Sequence, residues 1–431
     1  MRPSRALAAL VAACCAAGAS AQTLEKERRR GAEILREVKG LLERRYYDRS
    51  FGGLDLTARL AQAEADMKAA SSERMTFGVV ARMVAELEDS HTFFVPPAPA
   101  GAFDYGWTPR MIGDRCFVVD VRRDSDAAAR GLRPGDELLA IEGVRPERAN
   151  LWRTLHLARL LRPQPDVSLT VRAADGPVRE LTVTARVLAA GPSVNLHQYL
   201  ETLRQKLRAR VSSRFAEADG VLVWKLSSFE KHGRAIQEGM ARARGRSALV
   251  IDLRGNGGGD SDALRRFTGA FFPDGAPVTI GWLRSRKGLR ALAAERGGRG
   301  RSFLGPLVVV VDSGSASAAE VFARTVQLRQ RGPVVGDRTA GAVMLSRTHV
   351  IVGSRDSRFV PYAVSVTEAA VEMPGGSTLE RTGVVPDELA LPTPDDLRAG
   401  RDPVLARAVA LAGGTLGADA AGQLFPEPDR D

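Results

Sequence analysis

Two short apolar runs constrain this chain most. Ala248-Leu249-Val250-Ile251-Asp252 leads directly into Leu253-Arg254-Gly255-Asn256-Gly257-Gly258-Gly259-Asp260. Leu307 to Val311 leads into Asp312-Ser313-Gly314-Ser315-Ala316-Ser317-Ala318-Ala319-Glu320. Four or five apolar residues bounded by turn residues suit a strand buried on both faces. Gly220 to Trp224 is a third such run, and Ala263–Phe271 and Ser317–Arg329 read as helices between them. Strands alternating with helices predict an α/β layered sheet over residues 189–412, closed by a helix at Pro403–Leu411. The tail, 413–431, reads as poorly ordered.

The turns after the two strands carry the chemistry. Three adjacent glycines let backbone N–H groups face a ligand with no Cβ in the way. The Lys-Ser/Thr pair of a phosphate loop is absent and the dinucleotide spacing fails, so an oxyanion site is the better use of these donors. The second turn places small residues around a serine at a strand-to-helix junction. That suits an exposed nucleophile beside a positive helix end, although such a run also suits plain close packing.

The other end of the chain speaks to compartment. Arg2 and Arg5, the apolar stretch Ala6–Ala17 and Ala19-Ser20-Ala21 before Gln22 form a secretory-signal pattern over residues 1–21. The apolar stretch is shorter than the roughly 20 residues of a membrane span. The expectation is an exported, most simply periplasmic, protein with at most peripheral membrane association. Lipoprotein processing at Cys14 is the alternative. Cleavage leaves Cys116 alone, in a strand-like run, as a small buried hydrophobe.

Formal net charge is +11, from 62 basic and 51 acidic side chains. The arginines are scattered, and no nucleic-acid-binding signature accompanies them, so no nucleic-acid partner is expected. No His/Asp/Glu cluster has ligand spacing, so neither metal nor cofactor is expected.

Residues 22–98 read as a helical region with a break at Gly52-Gly53, ending in Glu88-Asp89-Ser90-His91-Thr92. Residues 99–188 change to short strands and tight turns. Ala127-Ala128-Ala129-Arg130-Gly131-Leu132-Arg133-Pro134-Gly135-Asp136-Glu137-Leu138-Leu139-Ala140-Ile141 resembles the turn–strand signature of a PDZ domain. A PDZ domain binds an extended peptide as an added edge strand. By position Tyr105, Gly106 and Trp107 form the candidate carboxylate loop.

Taken together, the glycine turn, the serine turn about 55 residues later, Gly336-Asp337-Arg338-Thr339-Ala340-Gly341 and Gly383-Val384-Val385-Pro386-Asp387 resemble the carboxy-terminal-processing, or tail-specific, serine peptidases. The resemblance covers roughly residues 30–410. It implies a multidomain α+β chain: a helical N-terminal region, a PDZ-like module and a crotonase- or ClpP-like layered catalytic core. It also implies an endopeptidase acting on peptides or unfolded proteins. Ser317 is then the nucleophile, with Ala318 and Gly258 as oxyanion donors.

Many members of that family activate the serine with a lysine about 25 residues later. Here that position falls near Ala342, and no lysine follows Lys287. A serine hydroxyl needs a base. The tricorn-like branch of the family uses a Ser-His pair and a glutamate instead. The resemblance then implies a relay from Glu380 through Ser90 to His91 and Ser317, and an imidazole, with an ordinary pKa of about 6.5, suits that task. Glu320, one turn after Ser317, is a competing acid or a stabiliser of the helix start. The missing lysine also leaves a rival expectation, an inactive peptide- or ligand-binding protein on the protease fold.

Overall fold

The computed structural model describes residues 5–97, 101–158, 164–173, 176–189, 213–229, 234–273, 278–295, 302–353 and 360–425. They form two compact units. One comprises the described residues up to 97 and those within 346–369; the other comprises the described residues within 101–158, 164–345 and 370–425.

In the first unit, helices run over Arg5–Arg45, Leu56–Ala69 and Glu73–Ala85. The Asp55 carboxylate accepts Thr57 and Ala58 N–H groups, and the Ser72 hydroxyl accepts Met75 N–H, so both later helices begin on a side-chain cap. Ile34, Val38, Leu41 and Leu42 bury the helical face expected from their spacing, against Met67, Val80 and Met83. No helix among the described residues is long and apolar enough to cross a membrane.

The region is not helical throughout, as the sequence suggested. Phe93–Val95 is a strand, antiparallel to Val360–Glu372 through the pairs Phe93↔Ser365, Phe94↔Val364 and Val95↔Ala363. The partner lies some 270 residues away, which no local pattern announces. Residues 346–369, read from sequence as part of the catalytic core, therefore belong to this unit.

The second unit contains two sheets that bear on the site. One is antiparallel and five-stranded, in the order Trp107–Ile112, Arg115–Val121, Glu137–Ile141, Asp166–Arg172, Val178–Thr184. Short helices at Asp126–Ala129 and Leu151–His156 accompany it. The second helix is shorter than the expected Leu151–Leu161, and residues 159–163 lie outside the described set.

The other sheet has six strands, in the order Glu388–Leu389, Val334–Gly336, Leu307–Val311, Ala248–Asp252, Val221–Leu226, Ser213–Ala218. All neighbours are parallel except the last pair. Both five-residue strands are buried at every position, Asp252 included, as parallel strands covered on both faces require. Val223, Val250, Val308 and Val310 face the helix Pro403–Leu411 through Leu405, Ala408 and Val409. Phe267, from the helix Ser261–Gly269, packs its ring against Trp224, Phe229, Phe271 and Phe322.

The tail differs from expectation. Ala418–Gln423 is a helix, and Ala421, Leu416, Leu424 and Phe425 join the Pro403–Leu411 cluster. Apolar residues spaced over one helical face outweigh the glycine-rich composition of the segment. Residues 426–431 lie outside the described set.

Candidate active site

Parallel strands deliver their C-terminal ends, and hence the following turns, to one edge of the sheet. The glycine turn after Ala248–Asp252 and the serine turn after Leu307–Val311 therefore meet, because their strands are direct neighbours. Ala316 N–H donates to Asn256 O at 2.8 Å. A Cβ added to Gly258, whose φ is +97°, would lie 2.6 Å from Ser317 Cβ and 3.0 Å from Ala318 N. Only glycine permits that approach.

Ser317 itself has φ +57° and ψ −118° and opens the helix Ala318–Leu328. A non-glycine residue held there costs about 1–3 kcal/mol and persists only where its surroundings impose it. The restraints are visible. Ser317 N–H is shared between Ala342 O at 2.9 Å and Glu320 Oε2 at 3.0 Å. Ala318 N–H is the first of the helix and has no intrahelical acceptor.

Glu320 is fully buried. Besides Ser317 N–H, its carboxylate accepts the Thr339 hydroxyl at 2.5 Å, Gly341 N–H at 2.8 Å and Ala342 N–H at 3.0 Å. Burial pushes its pKa up to about 7, against the pull of those donors. A carboxylate so engaged is a brace for the serine turn rather than a competing acid. The S-x-x-E spacing of a capping box was its sequence signal.

Gly258 N–H donates to Asn256 Oδ1 at 2.8 Å, so the donor expected to be open is already engaged. Asn256 is buried and its amide donates to Leu226 O at 2.8 Å. Gly258 O accepts Phe229 N–H at 2.9 Å and the Ser228 hydroxyl at 3.0 Å. Asn256 and Ser228, which sequence reasoning passed over, thus hold the glycine turn.

Ser90 and His91 are together in the first unit, with Ser90 Oγ 2.7 Å from His91 Nδ1. Buried Asp89 shapes their turn: its Oδ1 accepts His91 N–H at 2.8 Å and the Thr367 hydroxyl at 2.9 Å. Glu380 is in the second unit with Ser317, where its Oε2 accepts Val343 N–H at 2.7 Å.

The expected peptide-carboxylate loop is occupied by its own fold. Tyr105 and Trp107 are buried, and the Tyr105 hydroxyl donates to Gln164 O at 2.7 Å. Gly106 N–H donates to Asp104 Oδ1 at 2.9 Å, which leaves it no donor for a ligand in this arrangement. Cys116 is buried too, and burial pushes its thiol up to about 12, far from nucleophilic use. Among the described residues no group of three or more His, Cys, Asp or Glu could hold a metal ion.

Residues 220–390, which contain both turns, match the model of peptidase family S41. That segment is an S41 peptidase domain. The chain is 23% identical over 380 residues to carboxyl-terminal-processing peptidase 2 of Arabidopsis thaliana chloroplasts, a match that takes in 80% of this chain and 66% of that one. It is 24% identical over 327 residues to the carboxyl-terminal-processing protease of a Synechocystis strain, across 73% of this chain and 70% of that protein. Among solved structures, mature CPAF complexed with lactacystin superposes with a TM-score of 0.64 at 16% identity, covering 86% of this chain and 95% of that one. This likeness is one of fold. The S41 match takes in Ser317 and both turns.

Proposed function

We propose that this S41 peptidase is an exported endopeptidase that cleaves peptides or unfolded proteins through an acyl-enzyme on Ser317, with His91 as general base. One observation carries the reading: the serine of the family-matched segment is held at φ +57° at the head of a helix. Strained, over-determined backbone at a reactive residue is a mark of a working site.

Ser317 Oγ attacks the scissile carbonyl and His91 Nε2 takes its proton. The developing oxyanion is met by Ala318 N–H, and by Gly258 N–H shared with Asn256 Oδ1. His91 then protonates the leaving amine, and water releases the acyl group by the same route in reverse. The Ser90–His91 hydrogen bond supports this assignment. With Nδ1–H donated to Ser90 Oγ, the tautomer leaves Nε2 as the acceptor. In the proposed relay Ser90 would in turn donate to Glu380.

The antiparallel module of residues 99–188 is read as PDZ-like. Its strand Trp107–Ile112 is an edge of its sheet, the element on which a peptide adds as a further strand. The signal-like segment 1–21 supports export to a periplasmic location. The experiment is cleavage of an unfolded protein by the purified chain and by Ser317→Ala. Cleavage by the former and not the latter supports the reading; equal cleavage by both sinks it.

A further inference from the structure

Asp312 closes the strand Leu307–Val311 and is buried, with 6% of its surface exposed. Its Oδ1 accepts Gly255 N–H at 2.8 Å and Gly314 N–H at 2.9 Å. Those donors belong to different turns. The first is on the turn that carries Gly258, the second on the turn that carries Ser317. A Cβ on Gly314 would come 3.1 Å from Gly255 Cα, so the two backbones touch at this point. One carboxylate oxygen therefore sets the spacing of the two halves of the site. Ser315 adds a tie, its hydroxyl donating to Leu253 O at 2.8 Å and accepting Asp312 N–H at 3.0 Å.

Asp312 Oδ2 is treated differently. It is buried with no hydrogen bond, and Arg110 Nη1 stands 3.4 Å away. A buried carboxylate oxygen without a donor is costly unless a cation offsets it. Arg110 lies on the edge strand Trp107–Ile112, and the next residue, Met111, offers its carbonyl to the Ser313 hydroxyl at 2.6 Å. Two consecutive residues of that strand thus grip two consecutive residues of the serine turn. A separate seam, from Arg148 Nη2 and Gly113 N–H to Asp337 Oδ2 at 2.6 and 3.0 Å, joins the same module to the core. Loss of Arg110 alone therefore leaves the module attached.

We infer that Asp312 is a positioning residue for acyl transfer: its Oδ1 fixes the glycine turn against the serine turn, and Arg110 fixes Asp312 through Oδ2. The inference rests on the reading of Ser317 as the nucleophile. Asp312 acts through Gly255 and Gly314 and touches no substrate. A small displacement of oxyanion donors costs rate more than binding, so its loss belongs in kcat and in serine reactivity.

The test uses the full chain and a small fluorophosphonate, which reports serine reactivity, alongside kcat and KM on a small ester. Asp312→Ala is expected to slow labelling by about tenfold to a hundredfold, with KM changed by less than about twofold. Asp312→Asn keeps the Oδ1 acceptor but loses the charge that Arg110 holds. It should match Arg110→Gln, each milder than Asp312→Ala, and the double variant should be no slower than either, because both act through one contact. Labelling of Asp312→Ala at the unaltered rate overturns the inference. So does a loss that appears in KM, or additive effects in the double variant. Should Asp312→Ala fail to fold, the Asp312→Asn and Arg110→Gln pair carries the test by itself. Failure of the unaltered chain to label at all would overturn the nucleophile reading and this inference with it. Labelling at Ser317 that ignores all the Asp312 and Arg110 changes would overturn the inference alone.

Discussion

Glu320 Oε2 accepts the backbone N–H of Ser317 at 3.0 Å, from a carboxylate with no exposed surface. The same carboxylate reaches Thr339, Gly341 and Ala342, so one side chain ties Ser317 to the segment Thr339–Ala342. Glu320→Gln puts an amide NH₂ among four donors and should cut turnover by about tenfold or more, since a buried donor left unpaired costs about 1–3 kcal/mol.

The same residue makes stability depend on pH. Its folded pKa, raised by burial to about 7, exceeds the ordinary carboxyl value of 4.5. The folded chain therefore binds more protons between those values. The contribution is fully present below about 4.5 and is lost as pH rises through about 7, by an amount on the order of 3 kcal/mol. Urea unfolding of the unaltered chain and of Glu320→Gln at stepped pH should show their difference shrinking over that window. A constant or growing difference would count against it.

The glycine turn should tolerate substitution unevenly. Gly258→Ala and Gly259→Ala meet both a positive φ and a collision, with Ser317 Cβ at 2.6 Å and Phe229 O at 2.2 Å respectively. Each should lower stability by about 1–3 kcal/mol and abolish measurable cleavage. Gly257 has open space around it, and Gly257→Ala should stay within about 0.5 kcal/mol of the parent. Thermal melts and cleavage assays on the three variants settle the contrast.

Below the glycine turn lies a buried ion cluster. Arg254 Nη2 pairs with Asp252 at 2.8 Å and with Asp402, the cap of the Pro403–Leu411 helix, at 2.7 Å. Burial alone would raise the Asp252 pKa, but Arg254 and Lys225 hold it well below the usual carboxylate range. Its stabilising share is thus present above about pH 4 and disappears only as pH falls through that depressed value. Arg254→Ala should cost about 3–5 kcal/mol at neutral pH, because it strands a buried charge. Denaturant titration measures this directly; a cost below about 1 kcal/mol would show the cluster to be dispensable.

Asp89 holds His91 N–H and ties the turn to Thr367. Asp89→Ala should lower both melting temperature and cleavage. Ser90→Ala removes the Nδ1 partner and should lower kcat by about tenfold or more with little change in melting, since such partners orient the ring.

Much of this was legible in the sequence. The apolar runs 248–252 and 307–311 could only be buried strands, and their small-residue turns could only sit at strand ends. The helix Pro403–Leu411 was read at the bounds it has. What escaped depends on distant partners. Phe93–Val95 became a strand because Ala363–Ser365 pairs with it. Gly106 looked free for a carboxylate until Asp104 took its N–H. Gly258 looked like an open oxyanion donor until the Asn256 side chain folded back onto it. Asp312 drew no reading of its own, and only the contact with Gly255, 57 residues away, shows it bridging two turns.

The most direct measurement of the central claim is covalent labelling by a fluorophosphonate, with the modified residue located by mass spectrometry. The account predicts a single label on Ser317, none in Ser317→Ala, and labelling slowed by about a hundredfold or more in His91→Ala. Labelling of His91→Ala at the unaltered rate, or a label on another serine, would contradict it.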